Sequence, residues 1–181
     1  MQYIRNDAQF RRRMLRFLRE AECFELVFVF GDSNSISLAD CQIDTRVEIQ
    51  NFGERREIIG ALMKSLRQGE DIMRCFAPHH AIRASNETQT LEILICFKCT
   101  TLHALFIGEE QCFVAPFSKS ALSLFNRFLP DYETKLAEHH QHLKEEWETL
   151  LASRIRDYHT EKEKQDTERA AFKEFWASHK L

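Results

Sequence analysis

Cysteine and histidine are the residues of this 181-residue chain best able to do chemistry, and five of them fall in one stretch. Arg74–Arg83 reads RCFAPHHAIR, and Ile95–Cys99 reads ICFKC. Cys96 and Cys99 form a C-x-x-C, while Cys75 ends a strand-like run with His79 and His80 just beyond it. If these segments are neighbours in an antiparallel sheet, three sulfurs and one or two imidazoles come together. Cys75, Cys96 and Cys99 with His80, or with His79, would make a tetrahedral zinc set. A C-x-x-C can also depress a thiol pKa and act as a redox pair. Both readings must contend with the setting of Cys96, which lies in an apolar run and not on a loose Gly-rich knuckle. Strand texture also continues to Ile107, so the C-x-x-C does not open a helix as thioredoxin-type motifs do. The third reading, and the favoured one, makes them free thiols packed as small hydrophobes, with the histidines hydrogen-bonded at a turn. Zinc is the one cofactor these residues suggest.

The pattern C-F-x-P-x-H-x-I-R followed by I-C-F-x-C resembles an uncharacterised bacterial family of small proteins. It is carried here by Cys75, Phe76, Pro78, His80, Ile82 and Arg83, then Ile95, Cys96, Phe97 and Cys99. The resemblance covers the chain from Arg46 to Leu129 and implies a bacterial α+β domain, with no agreed activity attached. The segment after Pro130 lies outside it.

Other motifs say less. His139–His142 reads HHQH, but on a helix only His139 and His142 share a face, with no third ligand close in sequence. A solvated helix face is the expectation there. Arg11–Arg13 could meet phosphate, yet no aromatics interleave and the chain as a whole is not basic. No G-x-S-x-G elbow, H-E-x-x-H, paired-carboxylate motif or glycine-rich phosphate loop occurs.

The elements that must position these residues can be read from periodicity. Ile4–Glu20 is amphipathic, with Phe10, Met14, Phe17 and Leu18 on one face, and predicts a helix. Cys23–Phe30 (CFELVFVF) suits a buried strand, and Asp32–Asp44 a loop. Arg46–Gln50 alternates as a strand, and Glu54–Arg67 forms a helix closed by Gly69. Five strand candidates follow: Asp71–Phe76, His80–Ala84, Leu91–Phe97, Thr101–Ile107 and Gln111–Phe117. Leu91–Phe97 is apolar at nearly every position, which predicts burial on both faces at mid-sheet. Ser118 could cap a helix carrying Leu122, Leu124, Phe125 and Phe128. This order predicts an α+β fold: an antiparallel sheet with a helix packed across it, then a helical C-terminal extension.

Composition places the boundary at Pro130. From there on, 21 of 52 residues are charged and glycine is absent, whereas the preceding 129 residues hold 32 charges and all five glycines. The expectation is an α+β domain over residues 1–129 and a helical arm over 130–181. In the arm, Leu136, Leu143, Trp147, Leu150, Leu151, Ile155 and Tyr158 follow three-to-four spacing. A polar break spans Thr160–Arg169 before Phe172, Phe175 and Trp176 restore apolar character. The break fits a turn between two helices or one long helix. The favoured reading has the arm fold back on the domain. In the other reading it binds a partner through Trp147, Tyr158, Phe172 and Trp176, as a homodimer or with another protein.

The remaining exclusions are broad. Net charge is −3, which argues against a nucleic-acid partner. No run nears the roughly 18 apolar residues of a membrane helix, and the arginine-rich N-terminus lacks a signal-peptide core. Six cysteines without an export signal fit a reducing cytoplasm. The expected function is therefore a non-enzymatic protein-binding module of bacterial cytoplasm, for example an immunity-type inhibitor of a toxin. A zinc-binding or redox-active thiol protein is the alternative.

Overall fold

A computed structural model describes residues 2–5, 7–69, 76–129 and 131–178, with side chains as far as Ala171. In chain order the elements are β1 (Gln2–Arg5), α1 (Ala8–Glu20), β2 (Cys23–Phe30), β3 (Gln42–Glu48) and α2 (Phe52–Gln68). Then come β4 (His80–Ser85), β5 (Thr90–Cys96), β6 (Thr101–Phe106), β7 (Gln111–Pro116), α3 (Leu122–Phe128) and α4 (Tyr132–Ser178). The seven strands form one open sheet in the order β1-β7-β6-β5-β4-β2-β3. Every neighbouring pair is antiparallel except β1, which runs parallel to β7. The fold is α+β, as the order of elements predicts. The chain forms two compact units, Met1–Tyr132 and Glu133–Leu181.

Local chemistry sets the helix starts. The Asp7 carboxylate accepts the Phe10 N–H at 2.7 Å, so α1 begins at Ala8 and not at the expected Ile4. The residues before that cap are free to pair with β7, and β1 results. Asn51 caps α2 in the same way, accepting from Gly53 and Glu54. Gly69 follows α2 with φ −71°, so handedness does not require glycine there. Close approach does: a Cβ at Gly69 would collide with the Pro116–Phe117 backbone at the end of β7. The expected strand Asp71–Phe76 falls largely outside the described residues, and Phe76 itself is not in a strand.

The sheet is covered on both sides. On one face Phe24, Leu26, Phe28, Ile82, Ile93, Ile95, Phe106 and Phe113 meet the apolar faces of α1, α2 and α3. Phe10 of α1 stacks on Phe113 with ring centroids 5.0 Å apart, and Phe17 meets Phe106 edge-on at 5.4 Å. Arg13 lies over Phe106 at 3.9 Å and pairs with Glu109, which assigns one residue of the arginine triplet to structure. The buried Arg55 donates to the carbonyls of Ile49, Ala21 and Glu22, tying α2 to the end of α1. The opposite face carries a smaller core of Val27, Val29, Ala81, Leu94, Cys96 and Cys99, with Leu38 and Phe76 in the same cluster. Thus β5 is buried on both sides at the centre of the sheet, as its continuous apolarity predicts.

Candidate functional site

Among the described residues of the cysteine–histidine stretch, His80 and Cys96 do not converge on one point. Register pairs His80 with Ile95, one residue before Cys96. Because strand side chains alternate, His80 shares the helix face with Ile82 and Ile95, while Cys96 belongs to the opposite face. Cys96 and Cys99 do come together. Cys96 ends β5, Cys99 lies in the turn before β6, and the Cys99 N–H points at Cys96 Sγ at 3.2 Å. Both are buried, and the half-buried Cys41 packs against the same cluster. Burial pushes the Cys41 thiol pKa up, opposed by a hydrogen bond with Ser35. Cys75 lies outside the described residues. Among the described residues no group of three or more His, Cys, Asp or Glu side chains could hold a metal ion. His79 is half-buried, with Nδ1 3.4 Å from the Val29 carbonyl and its ring edge-on to Phe30.

His80 sits in an aromatic box. Phe97, Phe125, Phe28 and Tyr132 surround its ring with centroid distances of 5.0, 5.9, 6.2 and 4.5 Å. Its Nε2 lies 3.2 Å from Asn126 Oδ1 in α3, so Nε2 carries the proton in the neutral ring, and Nδ1 is buried with no hydrogen-bond partner among the described residues. Burial pulls its pKa down to about 3, against the Asn126 hydrogen bond, so the ring is neutral at neutral pH. It is a packed core histidine. His103 on β6 stacks on Phe76 at 3.7 Å, and burial pulls its pKa down to about 4.

The second face holds a polar row that the sequence reading missed. Arg46 of β3 lies 3.7 Å from Glu25 of β2, Glu25 lies 3.7 Å from Arg83 of β4, and Arg83 lies 3.8 Å from Glu92 of β5. Cross-strand register aligns Glu25, Arg83 and Glu92 directly. Glu92 is nearly buried and accepts the Leu38 N–H at 2.8 Å, which pins the covering loop to the sheet. Asp40 organises that loop by accepting from the Ile36 and Ser37 N–H groups, which lowers its pKa. The one available signal was Glu92 itself, a single charge inside an otherwise apolar strand.

The arm is one continuous 47-residue helix, so Thr160–Arg169 makes no turn. Leu143, Trp147, Leu150, Leu151, Ile155 and Tyr158 are 45–66% exposed along it. Phe172 and Trp176 lie on the helical backbone, but their side chains are outside those described. His140 and His142 are exposed, with His142 Nε2 3.1 Å from Glu146 one turn on, and His139 is half-buried. No described helix is long and apolar enough to cross a membrane. Comparison with protein-family models, curated proteins and solved structures finds no match to this chain.

Proposed function

We propose that the protein is a non-enzymatic protein-binding module whose recognition element is α4. One observation carries this reading: a continuous helix that leaves Trp147, Tyr158, three leucines and an isoleucine exposed at three-to-four spacing. Large exposed apolar side chains in one stripe mark interaction surfaces, and Trp and Tyr are typical anchors in them. The neighbouring polar residues fit a solvated rim, with Gln141–Glu145 and Lys144–Glu148 contacts along the helix. We place the module in the bacterial cytoplasm, and an immunity-type inhibitor of a toxin is the form this reading takes there. A second copy of the chain is the other partner the stripe would accept.

The test is a Trp147→Glu/Leu150→Glu double variant of the full chain, compared with wild type for sedimentation and for stoichiometric complexes isolated from the native host. Loss of an identified complex, or of a dimer, supports the reading. A wild-type chain that stays monomeric and partnerless, or a variant that binds as well as wild type, overturns it. The thiol alternative has one observation on its side, the packing of half-buried Cys41 against the cluster that holds Cys96 and Cys99. One equivalent of zinc in protein purified without added metal would favour it. So would a loss of two thiols on oxidation that Cys96→Ser prevents.

A further inference from the structure

The helix face of the globular unit carries a second surface, separate from α4 and independent of the reading above. Neighbouring α1 and α2 leave a solvent-open groove of about 530 Å³. Its apolar lining is Leu18, Phe52, Ile59 and Met63. At Gly60 and Met63 it continues into a further space of about 410 Å³ that ends at Arg67 and Gln68. Phe52 is 80% exposed, with the Arg55 guanidinium 5.6 Å from its ring.

Charge around the groove is of one sign. Arg19, Arg56, Lys64 and Arg67 are exposed on its walls, and among the described residues no carboxylate lines it. Among the described residues none of these four forms an ion pair. Glu57, the acidic residue beside Arg56, is engaged by Arg127. Four cations around an apolar strip, without an ion pair among the described residues, suit a ligand of negative charge.

Gly60 supplies the third observation. It lies inside α2, where glycine weakens a helix relative to alanine. A Cβ there would meet nothing within 4 Å, so no neighbour in this fold requires its absence. A position without a side chain there keeps mid-groove open. Phe52, Arg56, Gly60, Met63 and Arg67 share one helical stripe that rises about 22 Å, the footprint of an amphipathic helix laid in a groove.

We propose that this groove binds an amphipathic helix of a partner protein whose apolar stripe is flanked by carboxylates. The probe is a synthetic twenty-residue helix with leucines at three-to-four spacing and flanking glutamates, titrated against the full chain by fluorescence anisotropy. A second peptide with lysines in place of the glutamates is the control. The glutamate peptide is expected to bind at least about tenfold tighter than the lysine peptide, and to weaken as salt is raised. Gly60→Leu should weaken it by at least about tenfold by filling mid-groove, and Arg56→Glu/Arg67→Glu by a similar factor. Gly60→Ala, which leaves most of the space open, should melt no lower than wild type and retain binding within about threefold, separating blockage from misfolding. Equal binding of both peptides, no binding of either, or indifference to Gly60→Leu overturns the proposal. Self-association of the full chain that Gly60→Leu abolishes would assign the groove to a second copy, and overturns it too.

Discussion

On one side of β5, Leu91, Ile93 and Ile95 join a core built with three helices; on the other, Leu94 and Cys96 share a small core with Leu38 and Phe76, while Glu92 holds the covering loop. On the helix face the strands present apolar and aromatic side chains, and the one buried histidine among them is neutral at neutral pH. The second face keeps a row of alternating charges, and the buried end of that row fastens the cover. A helix brings its own satisfied backbone to a sheet, so apolar contact is enough to seat it. A loop has backbone N–H groups without partners, and needs an acceptor such as Glu92 to be laid against a core.

The comparison is sharpest between adjacent residues of one strand. Ile93→Ala and Leu94→Ala each remove a fully buried aliphatic side chain, one from each face. Ile93→Ala should cost about 4 kcal/mol and Leu94→Ala about 2–3 kcal/mol, since a loop collapses into a cavity more easily than packed helices do. Denaturant midpoints would measure both, and equal costs would break the distinction.

Acid should act on both faces. The unfolded His80 titrates near its ordinary value of 6.5, whereas the folded one titrates at about 3. Between those values the unfolded chain binds a proton that the folded chain refuses. Stability is therefore full above pH 6.5 and falls as pH drops toward 3, by about 1.4 kcal/mol per unit, so about 2 kcal/mol by pH 5. His103 adds to the loss in the same direction, ending at its lower bound of about 4. His80→Phe should flatten part of the acid limb of a stability–pH curve, and an unchanged slope would show that the box takes up protons when folded.

The polar row can be tested through its buried end. Glu92→Ala leaves the Leu38 N–H without its acceptor and removes one of the two carboxylates beside Arg83, which keeps Glu25, and should cost about 1–3 kcal/mol. Glu92→Gln keeps an acceptor for Leu38 and should lose less. Hydrogen exchange at the Leu38 amide would separate a loosened loop from a global loss of stability. Cys96→Ala is the mildest change: it removes one sulfur and the acceptor of the Cys99 N–H, for about 1–2 kcal/mol. A cost above that range would mean the thiol does more than pack.

Residues whose environment is set within a turn or two of chain were legible in the sequence. The apolar run of β5 announced a strand buried on both sides, because no half-exposed strand tolerates that composition. The periodicity of α2, the β4–β7 run of strands and the helical texture after Pro130 followed from local preference and burial alone. The start of α1 was misplaced because Ile4 continues the helical period, while the choice of β1 depends on a partner strand 109 residues away, Gln2 facing Gln111. Distant pairing also decided the candidate site. Whether His80 meets Cys96 turns on a register of one residue, which places them on opposite faces. The row from Arg46 to Glu92 joins four segments whose adjacency exists only once the sheet is ordered. Sequence by itself determined which segments become helix or strand and which side chains must leave water, since both are properties of neighbours along the chain. Tertiary structure decided which polar groups meet, since that requires the strand order and register that long-range packing selects.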